Sequence, residues 1–217
     1  SHAIFTPGYD GWMEQVDRAI EVLKPDSFKG YTIGDNTNKD LSKHPWNLDD
    51  EKLVYPAYEK FQKAGLKNVC IHKGLFPPSV EKQFPHLLPY CDVRDVSKAA
   101  KDWPGLNFII YHSGYRAGPT QNSWEQFERT GRIDWVTDLA EIPRKHGVTN
   151  VYGDLGQIFA QTTVTETRLC AALMGMLVKG MGVDHIVWGT DGEEQDNIVW
   201  GTHADDNIVW GTDCGGD

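Results

Sequence analysis

The chain has 217 residues, of which 40% are hydrophobic and 24% charged, the balance of a globular domain large enough to bury a real core. Its formal charge of −10 excludes the clustered Lys and Arg that general nucleic-acid binding needs. No apolar run reaches the length of a membrane span, and the opening residues lack the basic and apolar segments of a secretory leader.

In chain order, residues 2–5 read as a short strand. Trp12, Val16, Ala19, Ile20 and Leu23 then share one helical face, which Pro25 ends. An apolar run at 28–33 predicts a strand. Asp49 or Asp50 caps a helix carrying Leu53, Ala57, Phe61 and Ala64 up to Gly65, with Pro56 expected to break or kink it. A strand at 68–72 precedes a helix with Val93, Val96, Ala100 and Trp103, ended by Pro104. A strand at 106–112 precedes a helix with Ile133, Val136 and Ala140, disturbed by Pro143. After a strand at 150–154, Thr163-x-x-Glu166 reads as a capping box. The helix it opens turns Leu169, Leu173, Met176 and Leu177 inward and closes near Gly182. The last run, 185–191, is again a strand, with Trp188 expected in the core.

Strands alternating with helices predict an α/β fold with a parallel sheet of β/α units. The expected architecture is a partial eight-stranded TIM-like barrel over residues 1–191, about strands 3 to 8. A whole barrel takes ~250 residues, so the chain is short by about two units at the front and by the last helix at the back. A flavodoxin-like open sheet is the other arrangement of such units, but no Gly-rich phosphate loop follows any strand. Residues 192–217 form a separate tail. Asp-His-Ile-Val-Trp-Gly-Thr-Asp at 184–191 is nearly repeated at 196–203 and 206–213, without a helix between copies. A parallel strand needs a crossover, so the second and third copies are expected to stay outside the barrel sheet. Four cysteines without a C-x-x-C pair give no disulfide framework, and Cys70 and Cys170 lie in apolar runs, so a reducing cytoplasm is the expected setting.

The chemistry lies in how the strands end. Four apolar runs finish at His72, His112, Asp154 and Asp191. In β/α barrels the C-terminal ends of the strands share one rim, where catalysis sits. Imidazole and carboxylate together suit Zn²⁺ and related divalent ions, which activate water near neutral pH with a carboxylate to take the proton. His72 and Asp191 are the candidate ligands. His112 is a ligand or the group that holds water or substrate, and Asp154 either caps a turn or works at the site. Arg116 is a candidate for binding a substrate carboxylate, beside its ordinary reading as a surface-loop Arg. Lys29 lies on a strand and can face the interior, as half of a buried ion pair or as a catalytic group. His44, His86 and His146 read as loop or surface histidines.

The segments 28–35, 44–52, 69–75, 108–116 and 185–191 together resemble the amidohydrolase superfamily. The similar branch includes 2-amino-3-carboxymuconate semialdehyde decarboxylase and related decarboxylases. The resemblance covers residues 1–191 and implies a distorted β/α barrel. It implies a metal held by an H-x-H pair on strand 1, a His on strand 5 and an Asp on strand 8, with a His on strand 6 facing water and substrate. By that resemblance His72 is the strand 5 ligand, His112 the strand 6 His, and Asp191 the strand 8 ligand and base. The sequence departs from the pattern in having no H-x-H and in carrying the repeated tail.

A metal-dependent hydrolase acting on a small molecule, such as a carboxylate, is therefore the expected function. Non-oxidative decarboxylation at the same centre and a non-catalytic half-barrel that only binds a ligand are the alternatives. Neither nucleic acid nor membrane is expected as a partner, and a homo-oligomer is compatible with the sequence.

Overall fold

The computed structural model describes residues 1–33, 43–116 and 120–188. Among these, six strands form one sheet: β1 (His2–Ile4), β2 (Ser27–Tyr31), β3 (Asn68–His72), β4 (Asn107–Tyr111), β5 (Val151–Asp154) and β6 (Ile186–Val187). Every neighbouring pair is parallel, and the order in the sheet is the order in the chain. A doubly wound open sheet reverses its strand order at a switch point. A sheet that never reverses keeps its right-handed crossovers on one side, which makes it the wall of a barrel. The fold is a partial TIM-like barrel, and the flavodoxin-like arrangement is excluded.

The crossovers carry α1 (Trp12–Arg18), α2 (Tyr55–Lys63), α3 (Pro78–Gln83), α4 (Leu88–Cys91), α5 (Val96–Asp102), α6 (Thr120–Thr130), α7 (Val136–His146), α8 (Gly156–Thr165) and α9 (Thr167–Met181). Phe28, Val69, Ile71, Phe108, Ile110 and Val151 join the helix residues Val16, Phe61, Val96, Leu139 and Leu173 in one buried cluster. These strand residues therefore define the outer, helix-covered face. Phe61 stacks on Phe28 with ring centroids 4.1 Å apart and meets Phe5 edge-on at 5.5 Å. Trp46 closes this cluster over Gly30, where a β-carbon would come within 2.7 Å of the indole. Alternation along each strand sends the intervening residues to the inner face.

Several local expectations change. The helix that begins as α1 widens into a π-helical turn at Ala19–Leu23, which shifts the phase of its apolar stripe. Ile20 still packs on the core, but Leu23 is 66% exposed. Pro56 does not break α2, because it sits in the first turn, where no intrahelical N–H is needed. The preceding turn is held by Asp50 Oδ1, which accepts from the Lys52 and Leu53 amides at 3.1 and 2.9 Å. Pro143 is inside α7 without ending it, and the helix closes at Gly147 in a left-handed conformation. The proposed capping box is not one: Thr163 belongs to α8, and Glu166 precedes α9 without a side-chain cap. Trp188 is 56% exposed beside Phe159, not in the core, because it stands just beyond the short edge strand β6. Cys70, Cys91 and Cys170 are free, buried thiols. No described helix is long and apolar enough to cross a membrane. Asp191, Cys214 and the second and third tail copies lie outside the described residues.

Candidate active site at the rim of the sheet

The inner face is layered by the strand register. At the bottom, Asn68 pairs with Asn107, whose amide donates to the Asn68 side-chain oxygen at 3.0 Å. Lys29, Cys70 and Ile109 are register partners in the middle layer, continued by Tyr152. At the top, Tyr31 pairs with His72 and His72 with Tyr111. Asp154 ends β5 at the same height. The Lys29 side chain is buried, with its ammonium 4.3 Å from the Tyr111 ring centre and 5.1 Å from that of Tyr31. Such contacts favour a cation over an aromatic face.

His72 and His112 meet on this rim with ring centroids 4.9 Å apart, nearly perpendicular. His72 also stacks on Tyr31 at 5.3 Å. His112 and Ser113 both adopt left-handed backbone conformations, φ 55° and 47°, a cost that non-glycine residues bear where the surroundings over-determine them. Here Asp154 is the restraint. Its Oδ2 accepts the His112 amide at 3.4 Å, and its backbone carbonyl accepts the Ser113 hydroxyl at 2.8 Å. Asp154 thus holds a turn, one of the two roles open to it, and the turn is the one after β4. Leu75, after β3, is also left-handed, with φ 47°. The two loops are stitched together: the Leu75 amide donates to the Tyr115 carbonyl at 2.7 Å and the Phe76 amide to Arg116 at 2.6 Å.

Burial, His112 and the Lys29 ammonium together hold the His72 pKa well below its usual value. Burial and then Lys29 take His112 down to about 3. Both rings are thus neutral near pH 7, the form in which imidazole can act as a ligand or hydrogen-bond partner. His2, hydrogen-bonded to Ser27, is lowered to about 4 by burial, Lys29 and the chain's ammonium terminus, with Asp26 opposing.

These shifts set the acid stability. A histidine whose folded pKa lies below 6.5 binds fewer protons when folded, so its contribution is complete above about pH 6.5 and is lost as pH falls towards the folded value. His2 alone should cost roughly 2 kcal/mol of unfolding free energy between about pH 7 and about pH 4.5. Urea unfolding across that range should show the decline, and His2→Gln should flatten part of it. An unchanged slope in that variant would show that His2 is not buried neutral.

The structure brings His72 and His112 together, with Asp154 behind His112. Arg116 is already engaged. It pairs with Glu81, reaches Asp134 at 3.4 Å, and lies 5.3 Å from the Trp135 ring. His44 lies against Tyr9 with the rings tilted, His86 is exposed in a 3₁₀ turn, and His146 is exposed at the end of α7. Sequence reasoning missed Tyr31 and Tyr111. Their signal was positional: Tyr31 is two residues beyond Lys29 on one strand, and Tyr111 is the register partner of His72.

Residues 10–192 match the family model for amidohydrolases. The chain belongs to the amidohydrolase family. Among solved structures, this amidohydrolase-family chain is similar to 5-carboxyvanillate decarboxylase from Sphingomonas paucimobilis, at 12% identity and TM-score 0.45, over 85% of this chain and 53% of that one. It is also similar to 2,6-dihydroxybenzoate decarboxylase from Rhizobium, at 14% identity and TM-score 0.48, over 85% and 57%. A third is dihydroxybenzoic acid decarboxylase from Polaromonas sp. JS666 with bound manganese and an inhibitor, at 15% identity and TM-score 0.45, over 86% and 56%. The chain thus spans little more than half the length of these structures. No curated protein matches it.

A divalent ion is implied by the family. The chemistry of the two rim imidazoles fits one, since both are neutral and adjacent. Among the described residues no group of three His, Cys, Asp or Glu is placed to hold an ion. The fit therefore extends to two donors, fewer than the three protein ligands of a usual catalytic zinc site.

Proposed function

We propose that this amidohydrolase-family chain carries part of a divalent-metal site, zinc or a related ion, in an enzyme that hydrolyses a small substrate bearing a carboxylate. The supporting observation is the pair of neutral imidazoles, His72 and His112, with centroids 4.9 Å apart at the strand ends. His72 and Asp191 are the proposed ligands, and Asp191 is also the proposed base. When bound, the ion supplies Lewis acidity at the rim. His112, held neutral, can give or take one hydrogen bond at a ring nitrogen and so orient a water or a substrate oxygen. Asp154 holds the turn that aims His112. The Lys29 ammonium lies below the rim on the inner face, 4.3 Å from the Tyr111 ring centre.

Non-oxidative loss of CO₂ from a carboxylate at the same centre is the second reading. Arg116, held by Glu81 and Asp134, is not needed in either reading.

The test is titration of the chain with Mn²⁺ and with Zn²⁺, followed by calorimetry. Binding is expected to be weak, because two carried-over ligands fall short of three. His72→Ala should lower it at least tenfold, a loss that even outer-sphere changes produce. Affinity unchanged in His72→Ala would remove His72 from the ligand set. Ligand binding without turnover of carboxylate esters, amides or benzoates would instead favour a non-catalytic binding protein.

A further inference from the structure

The residue after His72 takes no part in the rim but is tied more firmly than any surface lysine. Lys73 is buried, its side chain 0% exposed, and its ammonium donates to Asp95 Oδ2 at 2.8 Å and to the Tyr90 carbonyl at 2.9 Å. The same Asp95 oxygen accepts the Leu48 amide at 2.8 Å. Tyr90 O also accepts the Thr32 hydroxyl at 2.6 Å, and that hydroxyl lies 3.4 Å from the His72 carbonyl. One buried network thus joins the ends of β2 and β3, the 46–48 segment, α4 and the start of α5.

A buried ion pair is poor value as a source of stability, because the desolvation of both charges offsets their attraction. Its best-attested use is to fix one arrangement among several. The arrangement fixed here is the end of β3. Lys73 directly follows the last residue of β3, and consecutive residues of an extended chain point to opposite sides, so anchoring Lys73 outward favours His72 turned inward. The Thr32 hydroxyl, 3.4 Å from the His72 carbonyl, brings the same network to the peptide unit between them.

We propose that Lys73 and Asp95 are positioning residues for His72: the buried pair on the outer face sets where the imidazole stands on the inner one. The proposal rests on the reading of His72 as a working residue of the rim, and its measurement is independent of metal. His72 is placed by its 5.3 Å stack on Tyr31 and its 4.9 Å contact with His112. Ring-proton cross-relaxation between these side chains reads that placement directly.

The experiment compares wild type with Lys73→Met/Asp95→Leu, which replaces the pair by apolar side chains of similar volume, a change that often leaves stability intact. The milder Lys73→Met/Asp95→Asn keeps an acceptor for the Leu48 amide. Both are followed by urea unfolding, by ring-proton cross-relaxation, and by Mn²⁺ titration. The expected result is cooperative unfolding near the wild-type midpoint, with His72–Tyr31 and His72–His112 intensities down about threefold or more, and Mn²⁺ affinity down about tenfold. A folded variant with wild-type intensities would overturn the proposal. So would absence of the His72–His112 signal in wild type, or failure of both variants to fold, which would make the pair a folding determinant only. Lost intensities in a chain that never binds Mn²⁺ would uphold the positioning role and reject the metal reading.

Discussion

Gly74→Ala should destabilise the chain by about 4 kcal/mol. Gly74 follows Lys73 with φ +80°, and a β-carbon there would lie 2.4 Å from the Tyr115 carbonyl oxygen and 2.6 Å from the Gly114 carbonyl carbon. Both obstacles are backbone, so neither can swing aside as a side chain would. The left-handed conformation adds a penalty of about 1 kcal/mol for any β-carbon. Gly65 separates the two effects, since it has φ +78° with nothing within 4 Å of the added carbon. Gly65→Ala should therefore cost only the conformational share, about 1 kcal/mol. Urea unfolding of the two variants side by side makes the comparison. Equal costs would mean that the loops after β3 and β4 are not in contact as described.

Phe61→Ala should cost about 3–5 kcal/mol, the range for a large aromatic removed from a packed core. Phe61 is 1% exposed and joins Phe28, Phe5 and Tyr58 at centroid distances of 4.1, 5.5 and 6.1 Å. It is the point where α2 grips the outer face of β2, so its loss opens a cavity that stiff neighbouring rings cannot refill. Phe61→Leu, which keeps most of the volume, should lose less than half as much. The check is chemical denaturation at neutral pH. A loss below about 2 kcal/mol for Phe61→Ala would indicate that the stack relaxes into the space.

Much of the fold was legible in the sequence because its strands are short apolar runs that end in polar, chemically distinctive residues. The run ending at His72 was placed to the residue, and the runs ending at Asp154 and at His112 within one residue at each end. The strand register, which the sequence does not carry, puts Lys29 and His72 on one face. The juxtaposition of His72 with His112 followed from their places on adjacent strands.

The rest depended on geometry that residue type does not announce. Nothing in Tyr111-His112-Ser113-Gly114 says that the left-handed turn begins two residues before its glycine. That placement is imposed by Asp154, from a strand 42 residues away. Lys73 and Asp95 look like ordinary surface charges separated by 22 positions, and only the closing of the loops over β3 buries both. The π-helical turn at Ala19–Leu23 and the harmless Pro56 are likewise matters of backbone phase. Asp191, the remaining member of the proposed site, lies outside the described residues.

The backbone bonds from Leu75 and Phe76 to Tyr115 and Arg116 bear on how such a protein can be remodelled. Barrel enzymes diversify by exchanging the loops on their catalytic rim while the wall stays constant. Here two of those loops form a yoked unit, the one after β3 donating two backbone hydrogen bonds to the one after β4. A chimera that imports a new loop after β3 alone leaves the Tyr115 and Arg116 carbonyls without the donors that matched them. The one that exchanges 74–77 together with 113–116 carries its own partners with it, and leaves His72 and His112 on the rim.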